Sequence, residues 1–124
     1  MKEILYVALG GSLGSTGRYL VGLAFAEHTG SSFPLATISV NLIGSLLIGI
    51  LSAFIIKWNN DAVNFILITG FCGGFTTFST FSLDGLKLIQ RAEYASFFSY
   101  ASLSIVGGLI ACALGFWLAN KIIH

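Results

Sequence analysis

Residues 28–56, 62–83 and 94–120 contain no Asp, Glu, Lys or Arg. Each run reaches or exceeds the roughly 20 residues that a helix needs to cross a hydrocarbon core, where every backbone polar group must be satisfied inside the structure. The runs therefore predict three membrane-spanning helices. Composition agrees, because 9% of the residues are charged and 56% are hydrophobic, whereas about a quarter of an ordinary soluble domain is charged. A further span is predicted at about 4–26. Arg18 interrupts it and glycine is frequent, but both ends are apolar (Ile4, Leu5, Tyr6, Val7; Leu20, Val21, Leu23, Phe25). The expected fold is an all-α integral membrane protein, a single four-helix domain over 1–124.

The first span is expected to be retained, since it lacks a strongly basic start and has an Arg where a signal peptide would continue apolar. Cys72 and Cys112 fall within spans, where cysteine serves mostly as a small apolar packer, and they predict no disulfide framework. His28 and His124 have no Cys or carboxylate at ligand spacing, which leaves metal chemistry at side chains unsupported. Neither histidine can meet a serine and an acid near a span centre, so no hydrolase and no other enzyme is expected. The predicted loops at 27–32, 57–61 and 87–93, with Pro34 opening the second helix, leave no room for a soluble domain. Function is expected within the membrane, with lipid as a partner and no nucleic acid.

Four spans put Lys2, Lys57 and Lys121 on one side of the membrane. Lys87 and Arg91 lie on the other, joined by Arg18 if that residue reaches the surface. So even a distribution gives the positive-inside rule nothing to choose by, and the chain is expected to insert both ways. Opposite copies that pair would form an antiparallel dimer with a two-fold axis in the membrane plane. Glu3, Glu27, Asp61 and Glu93 read as solvated span ends, and Asp84 and Lys87, three apart, can pair on a helix.

The segment 70–81 reads Gly-Phe-Cys-Gly-Gly-Phe-Thr-Thr-Phe-Ser-Thr-Phe. It places a glycine pair, four hydroxyls and several aromatic rings where a plain anchor would have Leu and Val, and the pair predicts a weakened helix near Gly73–Thr76. Phe78 and Phe81 share a helical face, and ring edges carry partial positive charge. Thr37, Asn41 and Ser45 are spaced four apart, as are Ser96, Tyr100, Ser104 and Gly108, so each set makes a polar stripe. These stripes fit either interhelical bonding or a wet lining. Gly107, Ala111 and Gly115, and likewise Gly10, Gly14 and Gly17, are small faces suited to close helix packing. Arg18 can snorkel to the interface or lend positive potential to the mouth of an anion path. Donors from Asn41, Thr77, Ser79, Thr80, Tyr100 and Ser104, with no carboxylate expected at the centre, suit an anion better than a cation.

Taken in order, Gly11-x-x-Gly14-x-x-Gly17-Arg18-Tyr19, Thr37-x-x-Val40-Asn41-x-x-Gly44 and Gly70-Phe71-x-Gly73-Gly74-x-Thr76-Thr77-Phe78-Ser79-Thr80-Phe81 resemble the CrcB/Fluc family of fluoride channels across the whole chain. The resemblance implies an antiparallel dual-topology homodimer in the cell inner membrane, with two pores that export fluoride passively and a structural sodium ion on the dimer axis. It assigns Asn41 as a pore amide, Phe78 and Phe81 as rings facing fluoride, and Tyr100 and Ser104 as part of a polar track. Ser79 and Thr80 belong to the same lining, and Arg18 to a vestibule. The sodium would be held by the backbone carbonyls of Gly73 and Thr76. Gly108 stands where some members of the family have a further hydroxyl. A proton-coupled transporter of the small multidrug-resistance type is the alternative; it needs a titratable carboxylate near the bilayer centre.

Overall fold

The structure is a computed structural model that describes residues 1–26 and 30–124. Glu27 and His28, read above as a solvated span end and a loop residue, lie outside the described residues. The elements are α1 (Lys2–Ala26), α2 (Leu35–Trp58), α3 (Asp61–Asn64), a π-helix (Phe65–Cys72), α4 (Gly73–Phe75), α5 (Phe78–Gln90) and α6 (Tyr94–Ile123). Among the described residues there is no strand. Among the described residues three segments are both long and apolar enough to cross a bilayer: Leu35–Trp58, Asp61–Gln90 and Tyr94–Ile123. They coincide with the three uncharged runs. The 25-residue α1 has the length of a span.

Two seams organise the bundle, and both depend on glycine. A Cβ at Gly10 would overlap the Ile66 carbonyl oxygen, and one at Gly14 would overlap the carbonyl of Phe71. From the other side, a Cβ at Gly74 would lie 2.6 Å from the Gly11 carbonyl oxygen. Backbone thus meets backbone along α1 and the 65–75 segment, and residue numbers rise together on both, so these two elements run parallel. The second seam joins α2 to α6, where a Cβ at Gly49 would strike the Cys112 carbonyl and one at Gly115 the Leu46 carbonyl. These elements are parallel as well. Small residues are the usual means of bringing helices this close in lipid, where apolar surface alone gives no drive to associate.

The connections are short. Asn59 ends α2 in the left-handed region (φ 48), and the Asn60 side chain caps α3 by accepting from the Val63 N–H at 3.2 Å. Ala92 takes φ 57 after α5, while the Glu93 N–H bonds back to the Leu88 carbonyl at 2.9 Å. Ile38, Leu88 and Tyr100 form a buried cluster where α2, α5 and α6 meet, with Phe33, Phe81 and Phe97 packed on it.

The third membrane segment is interrupted, as its glycine pair suggested, but the interruption lies further on. Gly73 and Gly74 are helical; Thr76 (φ −78, ψ 159) and Thr77 (φ −152, ψ 119) are extended, and α5 restarts at Phe78. Gly74 is required by the approach of α1 instead. The chain breaks at the two threonines because their side chains, together with Asn41, take over hydrogen bonds that a continuous helix would make.

Candidate functional site

At the break, the Asn41 amide of α2 clasps Thr77 in both directions. Its Nδ2 donates to the Thr77 carbonyl at 3.1 Å, and its Oδ1 accepts from the Thr77 N–H at 2.8 Å. Thr77 in turn caps α5: its Oγ1 accepts from the Thr80 N–H at 3.2 Å and bonds the hydroxyls of Thr80 at 3.1 Å and Ser79 at 3.3 Å. A side-chain cap here satisfies one of the donors that every helix start leaves open. Asn41 is therefore half interhelical bonding and half lining, since one N–H of its amide is left over for another acceptor.

A cavity of about 320 Å³ opens beside this clasp, lined by Asn41, Gly44, Ser45, Thr76, Thr77, Phe78, Phe81 and Ser104 among others. Four of the residues singled out from the sequence, Asn41, Phe78, Phe81 and Ser104, thus meet around one space. Phe78 and Phe81 have ring centroids 5.6 Å apart, and Phe81 lies 5.1 Å from the Tyr100 ring. Phe78 is 79% exposed on the protomer.

Tyr100 and Ser104, one turn apart on α6, carry the most telling atoms in the structure. The Ser104 Oγ is buried with no hydrogen-bond partner; the Tyr100 hydroxyl, fully buried, makes no well-formed bond either, but the Thr37 hydroxyl stands beside it and the Asp84 carboxylate acts on it. A buried hydroxyl left unpaired costs on the order of 1–3 kcal/mol, so the Ser104 Oγ, which lines the cavity, is a donor open to an acceptor there. Ser79 and Thr80 are engaged in the cap of α5, and Thr80 also borders two neighbouring cavities.

Those neighbouring cavities, of about 470 and 420 Å³, lie toward the end of the bundle where α5 finishes. Lys87, Arg91, Asp84 and Thr37 line the larger, and Arg18, Ser15, Thr37 and Thr80 the other. Arg18 is half-buried and donates from Nη1 to the Thr76 carbonyl at 3.4 Å, so its guanidinium reaches inward to the break rather than out to the surface. Asp84 is the residue that sequence reasoning missed. It does pair with Lys87 as expected, at 3.9 Å, yet its other carboxylate oxygen accepts from the Thr37 hydroxyl at 2.6 Å. An acid read only as the partner of Lys87 thus closes the outer end of the Thr37–Asn41–Ser45 stripe. The signal was present in that stripe, which needed an acceptor for Thr37.

Comparison with known proteins covers nearly all of the chain. Residues 5–116 match the family described as CrcB-like protein, Camphor Resistance (CrcB). The chain is 53% identical over 113 residues to "Fluoride-specific ion channel FluC 1" of Nitrobacter hamburgensis, covering 87% of this chain and 90% of that one. It is 43% identical over 124 residues to "Fluoride-specific ion channel FluC" of Flavobacterium psychrophilum, covering 98% and 100%. Against the protein of the same name in Phocaeicola vulgatus it is 41% identical over 122 residues, covering 97% and 100%. The matched region contains the glycine seam of α1, the Asn41 clasp, the Thr76–Thr77 break and the unpartnered hydroxyls of α6, and the chain belongs to the CrcB family.

Proposed function

We propose that the chain is a fluoride-selective channel that lets fluoride leave the cell passively. The observation that carries this reading is the buried, unpartnered hydroxyl of Ser104 in the cavity lined by Asn41, Phe78 and Phe81, with Tyr100 one turn away and its ring against Phe81. Fluoride is a small, strongly hydrated acceptor, and a pore for it must replace water with protein donors while staying too narrow for chloride. Asn41 and the two hydroxyls supply donors, and the ring edges of Phe78 and Phe81 supply positive character without a fixed charge that would trap the ion. Fluoride that enters as neutral HF and dissociates inside is driven out by an interior-negative potential, about 2.3 kcal/mol for each 100 mV. No energy source is required, and the channel relieves fluoride toxicity.

The working unit of this proposal is an antiparallel homodimer of four-span chains with dual topology, in the inner membrane. The even spread of Lys and Arg supports it. So does α1, which runs parallel to the third membrane segment as an up-and-down bundle of four spans requires. Much of α6 is also open in the protomer, with Leu103, Ile105, Val106, Leu109 and Ile110 all at least 45% exposed, leaving area for lipid and a second copy.

The break also suits a cation. The Thr77 N–H that would bond the Gly73 carbonyl in a continuous helix goes to Asn41, and the Thr80 N–H that would bond Thr76 goes to Thr77 Oγ1. The Gly73 and Thr76 carbonyls are thereby released from the helix, and they are hard oxygen ligands of the kind sodium takes. A sodium ion held there would supply fixed positive charge that joins the two copies.

The test is efflux of fluoride and of chloride from liposomes containing the purified protein. Rapid fluoride release without chloride release is expected, with flux cut at least tenfold by Phe81→Ile; equal release of both anions would refute the reading. For topology, adding Lys at the C-terminus should drive that end to the cytoplasm, and neutralising Lys2, Lys57 and Lys121 should drive it outward. Fluoride resistance should then require both forms together, and resistance from a verified one-way form would rule out the antiparallel dimer.

A further inference from the structure

The two carbonyls released at the break are not in the same condition. Gly73 is exposed, whereas the Thr76 carbonyl already faces a positive charge, the guanidinium of Arg18 with Nη1 at 3.4 Å. The glycine seam explains how Arg18 arrives there. Gly10 and Gly14 lock α1 against the carbonyls of Ile66 and Phe71, Gly17 follows against the Phe75 ring, and one turn after Gly14 the Arg18 side chain meets the next free carbonyl of the same segment. Among the described residues Arg18 has no carboxylate partner, the ion pairs being Met1 with Glu3 and Lys87 with Asp84. A half-buried cation at this depth needs an acceptor, and the Thr76 oxygen is the one it has.

We infer that Arg18 is an internal competitor of the bound cation: its guanidinium holds the Thr76 carbonyl until a small monovalent ion such as sodium displaces it. This rests on the cation reading given above. A carbonyl oxygen has two lone pairs, but a metal ion and a guanidinium drawn to the same oxygen repel each other in a low-dielectric site, so the binding of one weakens the hold of the other. The displaced side chain has somewhere to go. The cavity of about 420 Å³ beside it is lined by Ser15, Tyr19, Thr37 and Thr80, which offer hydroxyl acceptors. Arg18 is thus a positioning residue: it fixes the direction of the break while no ion is bound, and it sets how much sodium is needed to replace it.

The experiment is thermal unfolding of the purified protein in detergent while sodium is titrated against N-methyl-D-glucamine at constant ionic strength. Wild type, Arg18→Gln, Arg18→Lys and the surface control Lys2→Gln are compared. Removing the competitor should lower the sodium midpoint of Arg18→Gln by about tenfold, and should widen the gap between its sodium-free and sodium-saturated melting temperatures. Arg18→Lys keeps the charge but loses the planar fork, so its midpoint should fall less, and Lys2→Gln should match wild type. If Arg18→Gln does not fold without sodium, Arg18→Lys still decides the matter through its midpoint. A midpoint that stays put or rises in both Arg18 variants, with wild type still stabilised by sodium, overturns the competition and leaves the cation site standing. No sodium effect on wild type overturns both.

Discussion

The seam between α1 and the 65–75 segment and the break at Thr76–Thr77 are adjacent in the chain, yet they are closed by opposite means. In the seam, side chains are absent: Gly10, Gly14 and Gly74 let one backbone press on another, and the helical hydrogen bonds stay intact. At the break, side chains replace the helix. Asn41 and Thr77 take over its bonds and in doing so free two carbonyls and the first turn of α5. The seam has no vacancy to offer a ligand. The break is satisfied only in part, and the unpaired hydroxyl of Ser104 lines the cavity beside it. One region sets where the other can stand, and the second has the chemistry.

The largest effect expected from disturbing this arrangement is in the seam. Gly14→Val would drive a branched side chain into the Phe71 carbonyl and to 2.8 Å or closer from the Phe75 nitrogen. Because backbone cannot give way there, the variant should fail to accumulate as folded protein, read as loss of a single peak on size-exclusion chromatography. Next is Asn41→Leu, which keeps the size but strands both the N–H and the carbonyl of Thr77. Leaving two buried backbone groups unpaired costs about 2–6 kcal/mol, so the melting temperature should drop while fluoride flux disappears. Retained stability in Asn41→Leu would show that the clasp does not hold the break. The smallest effect belongs to Gly22→Ala, where an added Cβ meets nothing within 4 Å. That variant should be stabilised by about 0.5–1 kcal/mol through the unfolded chain, and a loss of stability would mean that the seam extends further along α1 than the contacts indicate.

How much of this was legible in the sequence follows from what kind of interaction each feature uses. Periodicity and uncharged length depend on local composition, so the three apolar spans, the parallel glycine faces and the Phe78–Phe81 pair could be read directly. The position of the break could not. Glycine weakens a helix in general, but here Gly73 and Gly74 stay helical because α1 packs against them, while Thr76 and Thr77 leave the helix because Asn41, some 36 residues away in the chain, offers better partners. Asp84 was read only in part, for the same reason. Its neighbours in sequence show the pairing with Lys87, and only the fold brings Thr37 to its second oxygen. Arg18 had two open roles because nothing local tells a guanidinium whether the nearest acceptor lies outward in water or inward on a freed carbonyl.

The central claim is that the buried Tyr100 and Ser104 hydroxyls lack well-formed partners because they serve the permeating anion. The most direct measurement is to determine thermal stability and fluoride efflux on the same preparations of Tyr100→Phe and Ser104→Ala. Deleting a buried donor that has no partner should leave stability unchanged or raise it by about 1 kcal/mol, whereas removing a donor from the pore should lower fluoride flux at least tenfold. Opposite movement of the two readouts is the predicted result. Flux that is unchanged in both variants, or a fall in stability of the size expected for a lost protein hydrogen bond, would contradict the account.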